Sequence, residues 1–136
     1  MTTPYIHIAA ALIYNEAREL LLVRKAGTAF FMQAGGKLEP DEQPAQALCR
    51  ELHEELGLAL EPARATFLGS FNAPAANEPG RELVAELFAL PFTGTVDAQA
   101  EIAEARWVSL AEADQLTLAP LTRDQVLPLA RQLLGQ

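Results

Sequence analysis

Residues 36–58 read GKLEPDEQPAQALCRELHEELGL, and this stretch decides how the chain is read. Gly36 opens it, Glu42 follows, and then come Arg50-Glu51-Leu52, Glu54-Glu55 and Gly57-Leu58. Over 44–56, Ala45, Leu48, Cys49, Leu52 and Leu56 recur with the helical period and form one apolar stripe. Pro44 suits the first turn of that helix and Gly57 the position just past its end. Glu51, Glu54 and Glu55 then stand at i, i+3 and i+4, at the margin of the core face, roughly 80° to 180° from the stripe. Like charges at that spacing repel one another, so an ordinary surface helix gains nothing from stacking them. A divalent cation removes the objection. Mg²⁺, or Mn²⁺ in its place, is held by a few carboxylates together with the phosphates of a substrate.

Outward from this helix, the pattern is one of strands before and after it. Residues 5–14 are apolar and read as a buried strand, 15–18 as a turn, and 19–25 as a returning strand that makes a hairpin. Gly27 and Thr28 open a loop, and Phe30-Phe31 leads into a tight turn at Gly35-Gly36. Residues 65–71 and 82–92 read as two more strands around an exposed loop at 72–80, and 106–108 as a short one. Ser109 with Glu112, and Thr122 with Gln125, look like capping boxes, and a last helix runs to about Leu134, kinked or restarted at Pro128. Strands first, one helix in the middle and helices at the end indicate an α/β (α+β) chain with a mixed sheet between helices.

Length and composition bound the rest. The 136 residues suit a single domain, 1–136, and half of them are hydrophobic, which is a globular composition. No apolar run approaches the roughly 20 residues of a membrane span, and the N-terminal stretch reads as a strand, not a signal peptide. One cysteine, Cys49, excludes an internal disulfide and reads as a small buried hydrophobe; the cytoplasm is the default compartment. A net charge of −8 argues against a surface that coats nucleic acid. It also repels free nucleotides unless cations intervene, which leaves Arg24, Lys25 and Lys37 as candidates for touching phosphates. An edge strand leaves monomer and homodimer both open.

The spacing Gly, five residues, Glu, seven residues, Arg-Glu-apolar-x-Glu-Glu-x-Gly-apolar resembles, position for position, the signature of the Nudix hydrolases, in the MutT-like manner. The resemblance implies the Nudix-type α/β/α sandwich and a Mg²⁺-dependent hydrolysis of the pyrophosphate bond in a nucleoside diphosphate linked to another moiety. A nucleoside triphosphate, a nucleotide sugar and ADP-ribose all fit that description. It implies Glu51, Glu54 and Glu55 as metal ligands, with Glu54 bridging and the carbonyl of Gly35 joining them. Arg50 orients a carboxylate of the cluster, and Glu42, Gly36 and Gly57 support the site. The proton acceptor is open: any cluster carboxylate, or an acid outside the run, where Glu101 and Glu104 precede Trp107. The family's Glu shortly before a Trp favours Glu104.

Other residues are weighed against plainer readings. Lys37 either contacts phosphate or pairs with an acidic neighbour. Phe31 stacks on a nucleobase or packs in the core, and packing is the preferred reading, as it is for Trp107. His7 and His53 have no partner at metal-ligand spacing. Before the glycine pair the family often has an aromatic residue or leucine followed by proline, whereas this chain has Met32-Gln33-Ala34. Pro74 stands at a spacing similar to that of ADP-ribose-hydrolysing relatives and decides nothing. The alternative from another class is a nucleotide-binding regulatory module without turnover. Such a module would be expected to have lost carboxylates that this chain keeps.

Overall fold

In the computed structural model, which describes residues 5–135, strands and helices form three layers. The strands are β1 (Tyr5–Tyr14), β2 (Leu20–Lys25), β3 (Phe31–Met32), β4 (Ala34–Lys37), β5 (Thr66–Pro74), β6 (Glu82–Pro91) and β7 (Ile102–Val108). The helices are α1 (Pro44–Leu56), α2 (Leu110–Ala113) and α3 (Leu127–Leu133), with a 3₁₀ turn at Pro62–Arg64. The main sheet order is β3-β2-β1-β6-β5; β4 joins it on β1 and β7 on β2. β1 and β6 run parallel and the remaining pairs antiparallel, so the sheet is mixed. One face carries a core of Ala9, Ala11, Ile13, Leu21 and Val23 under α1; the other packs Ala10, Leu12, Leu20 and Leu22 against the segments around α2 and α3. Alternation along β1 and β2 supplies both cores from the same strands. This is the α/β/α sandwich that the sequence predicts.

The hairpin of β1 and β2 holds only at its turn. Tyr14 pairs with Leu20, where Arg18 takes a left-handed φ of 63° and Asn15 Oδ1 accepts the Glu19 amide at 2.9 Å. Beyond that pair the strands part. β1 takes β4 as its neighbour over Ile8 to Ala11, while β2 takes β3 at Val23 and Arg24. The chain crosses the gap at Gln33, between β3 and β4. A cleft opens where the two strands diverge, and the glycine pair lies on its edge.

The glycines are thus not the tight turn that the sequence suggests. Gly35 and Gly36 are strand residues, paired with Ala10 and Ala9. Their smallness is needed for close approach: Gly35, at a φ of 147°, has no room for a Cβ against the Ala9 carbonyl, and on Gly36 one would collide with the Glu51 carboxyl group. Other boundaries move for equally local reasons. β5 runs on to Pro74 because Asn72, Ala73 and Pro74 still pair with β6, which shortens the expected loop at 72–80. β7 begins at Ile102, so Glu104 lies inside a strand that pairs along β2. Ser109 and Glu112 do form a reciprocal capping box, at 2.8 and 3.0 Å. Thr122 does not cap anything. It lies inside a helical stretch that has already started, within a π-helical turn over Thr122–Val126, and its hydroxyl is engaged elsewhere. That wider turn runs without a break into α3, so Pro128, which has no N–H to donate, lies in a continuous helical stretch directly after the π-helical turn.

α1 is positioned by its ends and its core face. Pro44 occupies its first turn, the Gln46 side chain accepts the Gln43 amide, and Gly57 closes the helix at a φ of 70° with its N–H on the His53 carbonyl. Leu48, Leu52 and Leu56 are fully buried, each contributing about 2 kcal/mol. Ala47 is buried with them, whereas Ala45 and Cys49 are only half-buried, so the stripe is rotated slightly from its sequence reading. The rotation takes Glu55 inside.

Candidate active site

Arg50 organises the acidic face of α1. Its guanidinium donates to both oxygens of Glu42 at 2.9 Å, to Glu51 Oε2 at 2.8 Å and to the Lys37 carbonyl at 3.0 Å. Glu54, about half-exposed, stands 3.6 Å from the same group. A rigid planar fork can serve four partners in this way and an ammonium cannot. The bond from Arg50 holds Glu42 well below the usual carboxylate range, at about 2, and the same carboxylates push the Arg50 guanidinium up. Arg50→Lys is therefore expected to keep the fold and lower kcat/KM by about 10- to 100-fold, the usual loss when the group that orients a ligand is removed. Steady-state kinetics alongside a thermal melt check this.

Glu55 behaves differently from its neighbours. Its side chain is buried beneath β4, and its Oε1 accepts the Gly35 amide at 3.2 Å. Burial pushes its carboxyl up to about 7, with the nearby charges of Glu51 and Glu101 adding to the rise and Lys25 opposing it. The folded value lies above the ordinary 4.5, so without metal the folded state holds an extra proton between about pH 4.5 and 7. Stability should fall as pH rises through that window. Glu55→Gln should remove the slope, leaving a metal-free protein that melts higher than wild type at pH 8. Melting temperatures across pH in EDTA test it.

Among the described residues, no three acidic, imidazole or thiol side chains stand close enough to enclose a cation as they lie. The donors nevertheless suit one. Glu51, Glu54, Glu55 and the Gly35 carbonyl are hard oxygen donors, and Glu55 is a buried acid whose one side-chain hydrogen bond among the described residues is to the Gly35 amide. Glu54 is exposed enough to swing toward Glu51 without disturbing the core.

This end of α1 borders a cleft of about 360 Å³. Glu51, Glu55, Gly35, Gly36 and Lys37 line it, as do Lys25 and Glu101, which lie 3.7 Å apart. Glu101 is drawn there by the backbone: its carbonyl accepts the Ala26 amide, and the Gln99 amide caps the Glu55 carbonyl. Lys37 forms no ion pair among the described residues, which leaves its ammonium available to a phosphate.

Three residues singled out in the sequence are not brought to the cleft. Strand alternation turns Arg24 and Glu104 to the face that carries α3. There Glu104 takes Arg106 at 2.8 Å and Arg24 at 3.4 Å, and these partners hold its carboxyl low. Phe31 is buried on that same face under Arg106, whose guanidinium lies 5.0 Å from its ring centre. Of the two acids before Trp107, Glu101 and not Glu104 reaches the carboxylates. Residues that the sequence reading did not assign to the site also line the cleft: Gln33 and Thr122, Asn77 on the β5–β6 loop, and Ala119 ahead of α3. For the first, the signal was the departure at Met32-Gln33-Ala34 from the residues that the family often has before the glycine pair.

A NUDIX domain model matches residues 4–130. The chain is 39% identical over 120 residues to a CTP pyrophosphohydrolase of Escherichia coli (strain K12), covering 85% of this chain and 84% of that one. It is 40% identical over 57 residues to an 8-oxo-dGTP diphosphatase of the same organism, covering 39% of this chain and 44% of the other. Among solved structures, the MutT protein from Methanosarcina mazei Go1 superposes with a TM-score of 0.79 at 25% identity, over 100% of this chain and 99% of that one. The chain belongs to the Nudix family and is a MutT-like pyrophosphohydrolase.

Proposed function

We propose that the chain hydrolyses the pyrophosphate bond of a nucleoside triphosphate with Mg²⁺, or Mn²⁺, bound by Glu51, Glu54, Glu55 and the Gly35 carbonyl. The observation that carries this reading is the meeting of Glu51, Glu55, Gly35 and Lys25 at one end of a single cleft. When bound, the metal supplies charge neutralisation for the phosphate oxygens and a lowered pKa for its water. The protein's own residues do the rest. Arg50 fixes the direction of Glu51, so the carboxylate is set before substrate arrives. Lys25 and Lys37 bring positive charge to a strongly acidic chain, where the phosphates would otherwise be repelled. Glu101, beside Lys25 and near Glu55, is the acid from outside the signature best sited to take the proton of the attacking water. Water adds to phosphorus, the bridging P–O bond breaks, and the leaving phosphate group departs with the bond's electrons.

The triphosphate is favoured over a nucleotide sugar or ADP-ribose by the names of its relatives, a CTP pyrophosphohydrolase and an 8-oxo-dGTP diphosphatase. A small-molecule nucleotide is the expected partner, the charge of −8 argues against nucleic acid, and a monomer or homodimer serves equally. Among the described residues no helix is long and apolar enough to cross a membrane. Product analysis over triphosphates, nucleotide sugars and ADP-ribose tests the reading. Nucleoside monophosphate and pyrophosphate from a triphosphate are expected; turnover confined to ADP-ribose or sugar nucleotides, giving two monophosphate products, would overturn it.

A further inference from the structure

Two strands of the sheet have a single long-range strand neighbour on one side and an open edge on the other, and the two edges are closed differently. β7 pairs only with β2, but it carries Glu104 and Arg106, and its Trp107 donates Nε1–H to the Gly94 carbonyl at 3.0 Å. Charged side chains on an edge strand are the usual guard against further pairing. β5 lacks that guard. It ends the strand order, with β6 on one side, and no other element among the described residues bonds its backbone over 66–74. Its sequence, TFLGSFNAP, contains no charged residue in a chain of which a fifth is charged. All but Ala73 are exposed or half-buried, and Phe67 is 56% exposed, set edge-on to Phe88 with ring centres 5.4 Å apart.

An open, uncharged edge accepts one more strand, and the charges at its ends indicate which. Two chains of net charge −8 repel each other, so they associate only through locally neutral surface, and β5 offers it. Glu61 and Arg64 precede the strand, both exposed, and Arg64 forms no ion pair among the described residues. Glu78 and Arg81, also exposed and 3.8 Å apart, follow it on the loop to β6. Each end thus carries one acid and one base. A second copy laid antiparallel brings the Glu61–Arg64 end of each chain to the Glu78–Arg81 end of the other, so acid faces base twice across a twofold axis. We propose that β5 pairs with β5 of a second copy, antiparallel about an axis at Phe71, to form a homodimer with one continuous sheet. Directly opposed residues of an antiparallel pair share a face of the sheet. Phe71 packs on the α3 side, so the axis sets two phenyl rings beside each other there. On the α1 side Ser70 comes opposite the partner's Asn72, both exposed hydrogen-bonding side chains. Aromatic and hydrogen-bonding cross-strand pairs are the stabilising kind, and no like charges are opposed along the strand. β5 leads directly into 75–78, which line the cleft, so the contact lies beside the site of each copy.

Sedimentation of the wild-type chain tests this. The mass should rise from near the 14.7 kDa of one copy at about 1 μM toward about 29 kDa at about 300 μM. Ser70→Lys with Asn72→Lys opposes lysines across the axis and should stay at the single-copy mass at both concentrations. Ala111→Lys with Gln115→Lys adds the same charge at exposed positions remote from β5 and should dimerise like wild type. Amide hydrogen exchange of the wild type gives a reading that needs no variant, should the edge variant fail to fold. Exchange over 66–74 should be about 3-fold or more slower at the higher concentration, with β7 unchanged. A wild-type chain that stays single at about 300 μM, a dimer that survives in the edge variant, equal loss in both double variants, or β5 amides indifferent to concentration would overturn the proposal.

Discussion

Glu54→Gln is expected to hydrolyse its substrate at least about 10³-fold more slowly than wild type, with an unchanged fold. The two neighbouring carboxylates are already engaged, Glu51 with Arg50 at 2.8 Å and Glu55 with the Gly35 amide. Glu54 alone approaches Arg50 loosely, at 3.6 Å, with half its side chain in solvent. Its charge is the one least compensated by the protein and so the one most available to a cation. The amide keeps the shape and removes that charge. Because the side chain supports no core contact, the melting temperature should hardly move. Kinetics with a thermal melt separate the two effects, and full turnover in the variant would remove Glu54 from the metal set.

Gly35→Ala is expected to cost about 4 kcal/mol and lower the melting temperature by about 15 °C, enough to leave little folded protein in a marginal background. Two costs add. A φ of 147° is strained for any residue with a side chain, and the new methyl would meet the Ala9 carbonyl, a backbone atom that cannot swing aside. Gly27 makes the contrast: its φ is 78°, but a Cβ there meets nothing within 4 Å, so Gly27→Ala carries only the conformational part. A melt of the two variants side by side measures the difference.

Much of this was legible in the sequence, and for physical reasons. Helical period and end signals identified α1, and the family spacing identified the residues that Arg50 gathers, because both are local along the chain. What escaped were consequences of pairing between distant segments. The glycine pair reads as a turn until β4 is seen lying against β1. Glu104 and Glu101 are three residues apart, and only the register of β7 on β2, with its shift at Arg24 and Lys25, decides which of them meets the cleft. Thr122 carries the local pattern of a cap, yet its hydroxyl is taken by Gln33, 89 residues away. Glu55 reads as a marginal carboxylate on a helical wheel, and β4 covers it.

The proposed metal-dependent pyrophosphohydrolase centre lies at the acidic end of the cleft. The most direct measurement is release of pyrophosphate and nucleoside monophosphate from CTP and other triphosphates by the wild-type chain in Mg²⁺, in Mn²⁺ and in EDTA. Equimolar release of the two products is expected with either cation, and none in EDTA. Equal rates in EDTA, or binding of triphosphates without any release, would contradict it.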